Sequence, residues 1–248
     1  MIELRGVSKT YSSTVEAVQS FNLKIEPGQT TVLIGPSGSG KSTLLRLIIG
    51  LVRPERGHVY FYGTEVLPHT ALSLRKKMGY VIQEGGLFPH LSVRGNVTLM
   101  ARYHKWEGAK VDKRLHELAD ITRFPLDGLD RFPAQLSGGQ RQRVGLMRAL
   151  MLDPHVLLLD EPLGALDPMI RAELQEDLKR IFQTLNKTVI LVTHDMGEAA
   201  FFGELIVLLH KGRIIQTGTL KELLQSPAEP FVSHFINARR TLLFDVMG

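Results

Sequence analysis

The chain has 248 residues, of which 44% are hydrophobic and 22% charged, an ordinary globular composition with enough length to bury a core, so a disordered polymer is excluded. It contains no cysteine, which excludes disulfides and thiolate metal sites. The formal net charge of +5 is scattered, with Arg75-Lys76-Lys77 and Arg239-Arg240 as its tight clusters, so no nucleic-acid partner is expected from charge.

Apolar runs such as Leu205-Ile206-Val207-Leu208-Leu209 fall far short of the roughly 20 residues that span a bilayer. The start Met1-Ile2-Glu3-Leu4-Arg5-Gly6 has no basic segment followed by an apolar one, so no secretory leader is expected. In chain order, Ile2 to Val7 and Val18 to Ile25 read as strands, and Pro27-Gly28 marks a turn. Thr30 to Ile34 reads as a buried strand, Lys41 to Ile49 as a helix and His58 to Tyr62 as another strand. The strands of this first part predict an antiparallel β layer.

Tyr80-Val81-Ile82 reads as a further buried strand. From about Val93 to Leu152 the pattern is mostly helical, with breaks near Gly108, Pro125 and Pro133, and predicts an inserted helical subdomain over approximately 84–152. Val156 to Leu159 and Thr188 to Val192 are buried strands. A strand pair is expected around Lys211-Gly212, a helix near Leu220 to Leu224 and a last helix from Pro230 to Ala238. Short buried strands alternating with helices predict an α/β core with a mainly parallel sheet. The expected organisation is one domain over 1–238 and a tail over 239–248.

Gly35-Pro36-Ser37-Gly38-Ser39-Gly40-Lys41-Ser42 fits the Gly-x-x-x-x-Gly-Lys-Ser/Thr phosphate loop, with Thr43 following, and lies between a predicted strand and a predicted helix. Glycines allow conformations that a Cβ would obstruct, so successive N–H groups can face phosphate oxygens at a helix N-terminus. Lys41 would then reach the β- and γ-phosphates and Ser42 would offer its hydroxyl to Mg²⁺. The loop alone does not separate kinases, GTPases, helicases and transporters. Downstream, the apolar run Val156-Leu157-Leu158-Leu159 ends in Asp160-Glu161-Pro162. Two carboxylates at the end of a buried strand need partners. A magnesium ion suits Asp160, and an attacking water suits Glu161.

Leu136-Ser137-Gly138-Gly139-Gln140, followed by Arg141-Gln142-Arg143, resembles the signature motif of ABC ATPases. Ser137 can cap a helix whose backbone two glycines leave exposed, which would make an anion site. Other positions match that family in order. Tyr11 resembles the aromatic that stacks on adenine, and Gln83 the glutamine that touches Mg²⁺ or its water and senses a membrane partner. Leu166-Asp167 resembles the loop that contacts the opposing subunit, and His194 the switch histidine near the γ-phosphate. A lone Tyr, Gln or His in such places is ordinarily structural; the ordered set assigns them.

The resemblance runs from Met1 to Ala238. It implies an α/β P-loop NTPase with an antiparallel β layer and a helical insertion, binding ATP and Mg²⁺. Each ATP would lie between the phosphate loop of one chain and Ser137, Gly138, Gly139 and Gln140 of a second, either an identical copy or a close paralogue, with Asp167 at the dimer contact. It further implies a peripheral subunit on the cytoplasmic face of a membrane, serving permease subunits and a solute-binding protein. The segment Val81 to Val93 looks like that of bacterial import ATPases, and Tyr80-Val81-Ile82-Gln83 and Thr193-His194-Asp195-Met196, with Ser226-Pro227-Ala228 and Phe231-Val232, are similar to the quaternary-amine branch (glycine betaine, choline). Glu84-Gly85 and Phe201-Phe202-Gly203 depart from that branch. An amino-acid importer and an exporter stay open, as does the alternative of a soluble ABC ATPase acting on nucleic acid or ribosomes.

Overall fold

A computed structural model of the chain describes residues 1–11, 15–164 and 166–244. It divides into two compact units, Met1–Arg75 with Thr188–Gly248, and Lys76–Lys187.

The first unit opens with β1 (Ile2–Tyr11) and β2 (Val15–Ile25), followed by β3 (Thr30–Ile34), α1 (Lys41–Ile48), β4 (Arg56–Phe61), β5 (Thr64–Glu65) and α2 (Pro68–Arg75). An antiparallel sheet has the order β2-β1-β4-β5. Its inward residues alternate as expected for a half-buried sheet: Ile2, Leu4, Val59 and Phe61 are buried while Arg5 and His58 are exposed. The strand β3 behaves differently. All five of its residues are buried, because it is the middle strand between two parallel neighbours, β8 (Thr188–Thr193) and β9 (Leu205–His210). A central parallel strand is covered on both faces and so reads as one continuous apolar run. β10 (Arg213–Gly218) pairs antiparallel with β9 at the edge.

α1 buries Leu44, Leu45, Leu47 and Ile48. Its C-terminal carbonyls at Ile49 and Gly50 accept from the Arg75 guanidinium at 3.0 and 2.6 Å, a cation at the negative end of the helix. α7 (Met196–Phe202) packs on β3, with Phe202 buried, and α8 (Leu220–Gln225) and α9 (Pro230–Phe244) follow. The last helix was expected to stop near Ala238 but continues to Phe244. No Gly or Pro interrupts Arg239 to Phe244, so nothing there ends it.

In the second unit β6 (Met78–Val81) pairs in parallel with β7 (Val156–Asp160). Its helices are α3 (Val93–Tyr103), α4 (Gly108–Thr122), α5 (Gly138–Leu150) and α6 (Pro168–Leu185). α5 contacts the other three, and Val97, Ala101, Leu115, Leu118, Val144, Met147 and Leu150 are buried among them. Ser92 caps α3, accepting from Gly95 N at 3.2 Å. The buried Asn96 accepts from Phe88 N at 2.8 Å and donates to Phe88 O and Leu91 O, closing the loop before the helix.

The reading of Tyr80-Val81-Ile82 as a buried strand is corrected. β6 ends at Val81, and Ile82 is 39% exposed. A 3-10 turn over Gln83–Gly86 follows at once, made possible by positive φ at Gly85 (74°) and Gly86 (52°). Three helices, α2, α6 and α7, were not singled out in the sequence. α6 in particular carries its signal openly, with Leu174, Leu178, Ile181 and Phe182 buried along one face.

Candidate functional site

The phosphate loop lies wholly in the first unit, between β3 and α1. Gly35 has φ +155°, and a Cβ there would run into the Leu209 carbonyl oxygen. Gly40 has φ +100°, and its Cβ would strike the Ala17 carbonyl oxygen. Both glycines are therefore fixed by conformation and by space. Gly38 has φ +77° with open space around it, and Ser37 is exposed beside it. Pro36 O accepts from Ser39 N at 3.2 Å, which curls the loop.

α1 starts from Gly40 with no side-chain cap and no acidic residue in its first turn, so its positive end is offered to an anion. Lys41 is buried, and its ammonium donates to Gly35 O at 2.8 Å and Pro36 O at 2.9 Å. The Ser39 hydroxyl is buried without a protein hydrogen-bond partner, an unusual state for such a group. A cradle shaped by two obligatory glycines, an uncapped helix end, a lysine and an orphaned hydroxyl fits a phosphate chain. Ser42 and Thr43, half-buried, stand in the first turn of α1.

Tyr11 is the last residue of β1, with the Lys9 ammonium 5.6 Å from its ring centroid. His194 follows β8 and is exposed. The chain after it is held firmly. Thr193 Oγ1 donates to Glu198 Oε2 at 2.5 Å and accepts from Asp195 N at 3.0 Å. Asp195 caps α7 by accepting from Gly197 N and Glu198 N.

In the second unit Gln83 opens the 3-10 turn and is exposed. Asp160 is the last residue of β7, and the Tyr80 hydroxyl lies 3.4 Å from its Oδ2. Glu161 has φ +48°, a backbone that costs an L residue about 1–2 kcal/mol. Such strain is found where a side chain must be aimed. The turn it belongs to closes by Gly164 N donating to Glu161 O at 3.2 Å.

Ser137 and Gln140 form a reciprocal cap on α5: Ser137 Oγ accepts from Gln140 N at 3.2 Å, and Gln140 Oε1 accepts from Ser137 N at 3.0 Å. The expectation that two glycines expose the helix backbone is corrected. Gly139 is buried, and a Cβ on it would come within 2.6 Å of Ile170 Cγ2; one on Gly138 would meet Leu166 Cδ2 at 3.0 Å. These glycines let α5 start directly against the loop and first turn of α6. Asp167 caps α6, accepting from Ile170 N at 3.1 Å, with Pro168 at the first helical position.

The sequence reading passed over an ionic cluster behind this region. Asp177 of α6 is 2% exposed and is bridged by Arg143 of α5 at 2.5 Å, Arg123 at 3.0 Å and Arg180 at 3.1 Å. Arg143 also donates to Thr122 O, the last residue of α4, at 2.6 Å. The signal was available: Arg143 sits four residues after Gly139 and three before Leu146, on the buried face of α5.

The profile of the ABC transporter family matches residues 18–164. The chain is 43% identical over 98% of its length to the glycine betaine/carnitine/choline transport ATP-binding protein OpuCA of Bacillus subtilis, and spans 64% of that protein. It is 46% identical over 95% of its length to the glycine betaine uptake system ATP-binding protein YehX of Escherichia coli, spanning 76% of it. Among solved structures, the ATP-binding cassette MJ0796, a dimer in a post-hydrolysis state with ADP and Pi, superposes with a TM-score of 0.80 at 35% identity. That match covers 89% of this chain and 99% of the other. The family profile covers more than half of the chain and these relatives match nearly all of it, so the chain belongs to the ABC transporter family.

Proposed function

We propose that this chain is the ATP-hydrolysing subunit of an importer for quaternary-amine osmoprotectants, acting as a dimer at the cytoplasmic face of a membrane beneath permease subunits that receive solute from a binding protein. The phosphate loop carries the reading: its glycines, its lysine and the orphaned Ser39 hydroxyl suit a nucleotide triphosphate. The relatives named for glycine betaine, carnitine and choline transport support the substrate class. No helix among the described residues is long and apolar enough to cross a membrane, so a membrane role runs through other chains.

In this reading Gly35, Pro36, Ser37, Gly38, Ser39 and Gly40 wrap the phosphates with backbone N–H groups, and Tyr11 stacks on the adenine. Lys41 leaves the carbonyls of Gly35 and Pro36 for phosphate oxygens, a charge-assisted exchange. Thr43 adds its hydroxyl from the same turn. Ser42, Gln83 and Asp160 would hold Mg²⁺, whose charge would offset that of the phosphates. Among the described residues no three His, Asp or Glu side chains converge on a metal site. Glu161 accepts a proton from the attacking water and His194 holds the γ-phosphate end. Ser137, Gly138, Gly139 and Gln140 of a second copy complete the nucleotide cage, and Asp167 meets that copy. ATP then favours the closed dimer, and departure of the cleaved phosphate after hydrolysis removes charge that holds it.

The test is a pull-down of the tagged chain from gently solubilised membranes, with partners identified by mass spectrometry. Recovery of a multi-span permease with a solute-binding protein that binds glycine betaine or choline is expected. Recovery of ribosomal or DNA-bound partners alone would overturn the transport assignment.

A further inference from the structure

The 3-10 turn that carries Gln83 lies directly on the backbone of α5. Gly85 and Gly145 make this approach possible: a Cβ on Gly145 would stand 3.1 Å from Gly85 Cα, and one on Gly85 would stand 2.8 Å from Arg141 O. One side chain closes the contact. Arg148, in the last turns of α5, donates from Nη1 to Gly86 O at 2.9 Å and from Nη2 to Gly85 O at 2.9 Å. Its guanidinium carbon lies 5.8 Å from the centroid of the Phe88 ring, within cation–π reach.

Burial pulls the Arg148 pKa down. Removing a guanidinium from water is costly. Here two consecutive carbonyls and an aromatic face offset the cost, and all three belong to the segment following Gln83. If that segment left α5, the arginine would lose these partners together. The same helix carries Ser137 at its start, about 16 Å away at roughly 1.5 Å per residue.

Resting on the functional reading above, we propose that Arg148 is a positioning residue that clamps the Gln83 turn to α5, so that displacement of Gln83 and displacement of Ser137 are one motion. Arg148 acts through Gln83. A signal from a membrane partner that reaches the Gln83 turn is passed to the start of α5 through the Arg148 guanidinium and the close approach of Gly85 to Gly145.

The experiment uses the full chain with Arg148→Met, Arg148→Lys, Gln83→Ala and the Gln83→Ala/Arg148→Met double variant. ATP turnover is measured against ATP concentration, and amide hydrogen exchange is followed by mass spectrometry. Arg148→Met should lower kcat about tenfold with KM for ATP changed less than about twofold, the pattern of a group that acts beyond ground-state binding. Arg148→Lys should restore part of kcat, because one ammonium can still reach a carbonyl. In the Gln83→Ala background Arg148→Met should cause no further loss, since residues acting as a unit are not additive. Exchange should accelerate at residues 84–88 and stay unchanged in β3 and α1. The proposal falls if Arg148→Met lowers kcat by the same factor with or without Gln83, if kcat is unchanged, or if exchange accelerates throughout 76–187. A wild-type chain with no ATP turnover would remove the functional reading instead, and exchange at residues 84–88 would then decide whether the clamp exists.

Discussion

Lys41 is a charge that the fold holds ready. Its ammonium is buried and satisfied by the carbonyls of Gly35 and Pro36, so an arriving phosphate replaces partners rather than confronting a bare cation. Charge-assisted bonds to phosphate exceed those to neutral carbonyls, which makes the exchange favourable. Lys41→Ala should therefore weaken binding of a fluorescent ATP analogue by at least about a hundredfold, roughly 2.7 kcal/mol, within the range for hydrogen bonds to charged groups. Unchanged affinity would remove Lys41 from the phosphate site. Glu161 is the opposite case at the same scale. Its φ of +48° is a local cost, and the proposed role of aiming a carboxylate at water would account for it.

At the scale of elements α5 is the organising helix of the second unit. It begins at the Ser137–Gln140 cap, packs its two glycines against Leu166 and Ile170, and is tied to α4 and α6 through Arg143 and Asp177. Asp177 serves three guanidinium groups while 2% exposed, so its loss would strand buried Arg143. Asp177→Ala should lower stability by about 3–5 kcal/mol, the cost of breaking a buried pair from one side, read as a lower urea midpoint. A change below about 1 kcal/mol would mean that Glu173, 2.8 Å from Arg143, suffices alone, as a surface-type bridge can be worth. This cluster escaped the sequence reading because Arg143 and Asp177 lie thirty-four positions apart and either one alone reads as a charge on a helix. Helices α3, α4 and α5 were legible as a group because their apolar positions repeat at helical spacing. Ile82 was misplaced for a related reason. An apolar residue after Tyr80-Val81 continues a strand pattern, and only the turn made by Gly85 and Gly86 shows that the strand has already ended.

For the molecule as a whole, the proposed dimer gives the clearest test of the carboxylates. Glu161→Gln keeps the size and hydrogen-bonding reach of the side chain but cannot take a proton from water. With ATP and Mg²⁺ it should elute as a dimer in size-exclusion chromatography while turning over at least about a hundredfold more slowly, as befits loss of a general base. Hydrolysis at the wild-type rate would exclude Glu161 as the group that activates water. What the sequence determined by itself was whatever is encoded over a few neighbouring residues. The phosphate loop depends on glycines at fixed intervals, the cap at Ser137 on a polar side chain just before a helix, and the buried strands β3, β7 and β8 on unbroken apolar runs. The tertiary structure alone decided what depends on partners remote in the chain. Gly79 looks like any strand glycine, yet a Cβ there would press to 2.5 Å of the Ala149 carbonyl and 2.8 Å of Leu157. Arg148 looks like any helical arginine until two carbonyls sixty-two and sixty-three positions away are found in its grip. Local conformation is a property of short segments, whereas steric closeness and desolvation exist only once distant segments have met.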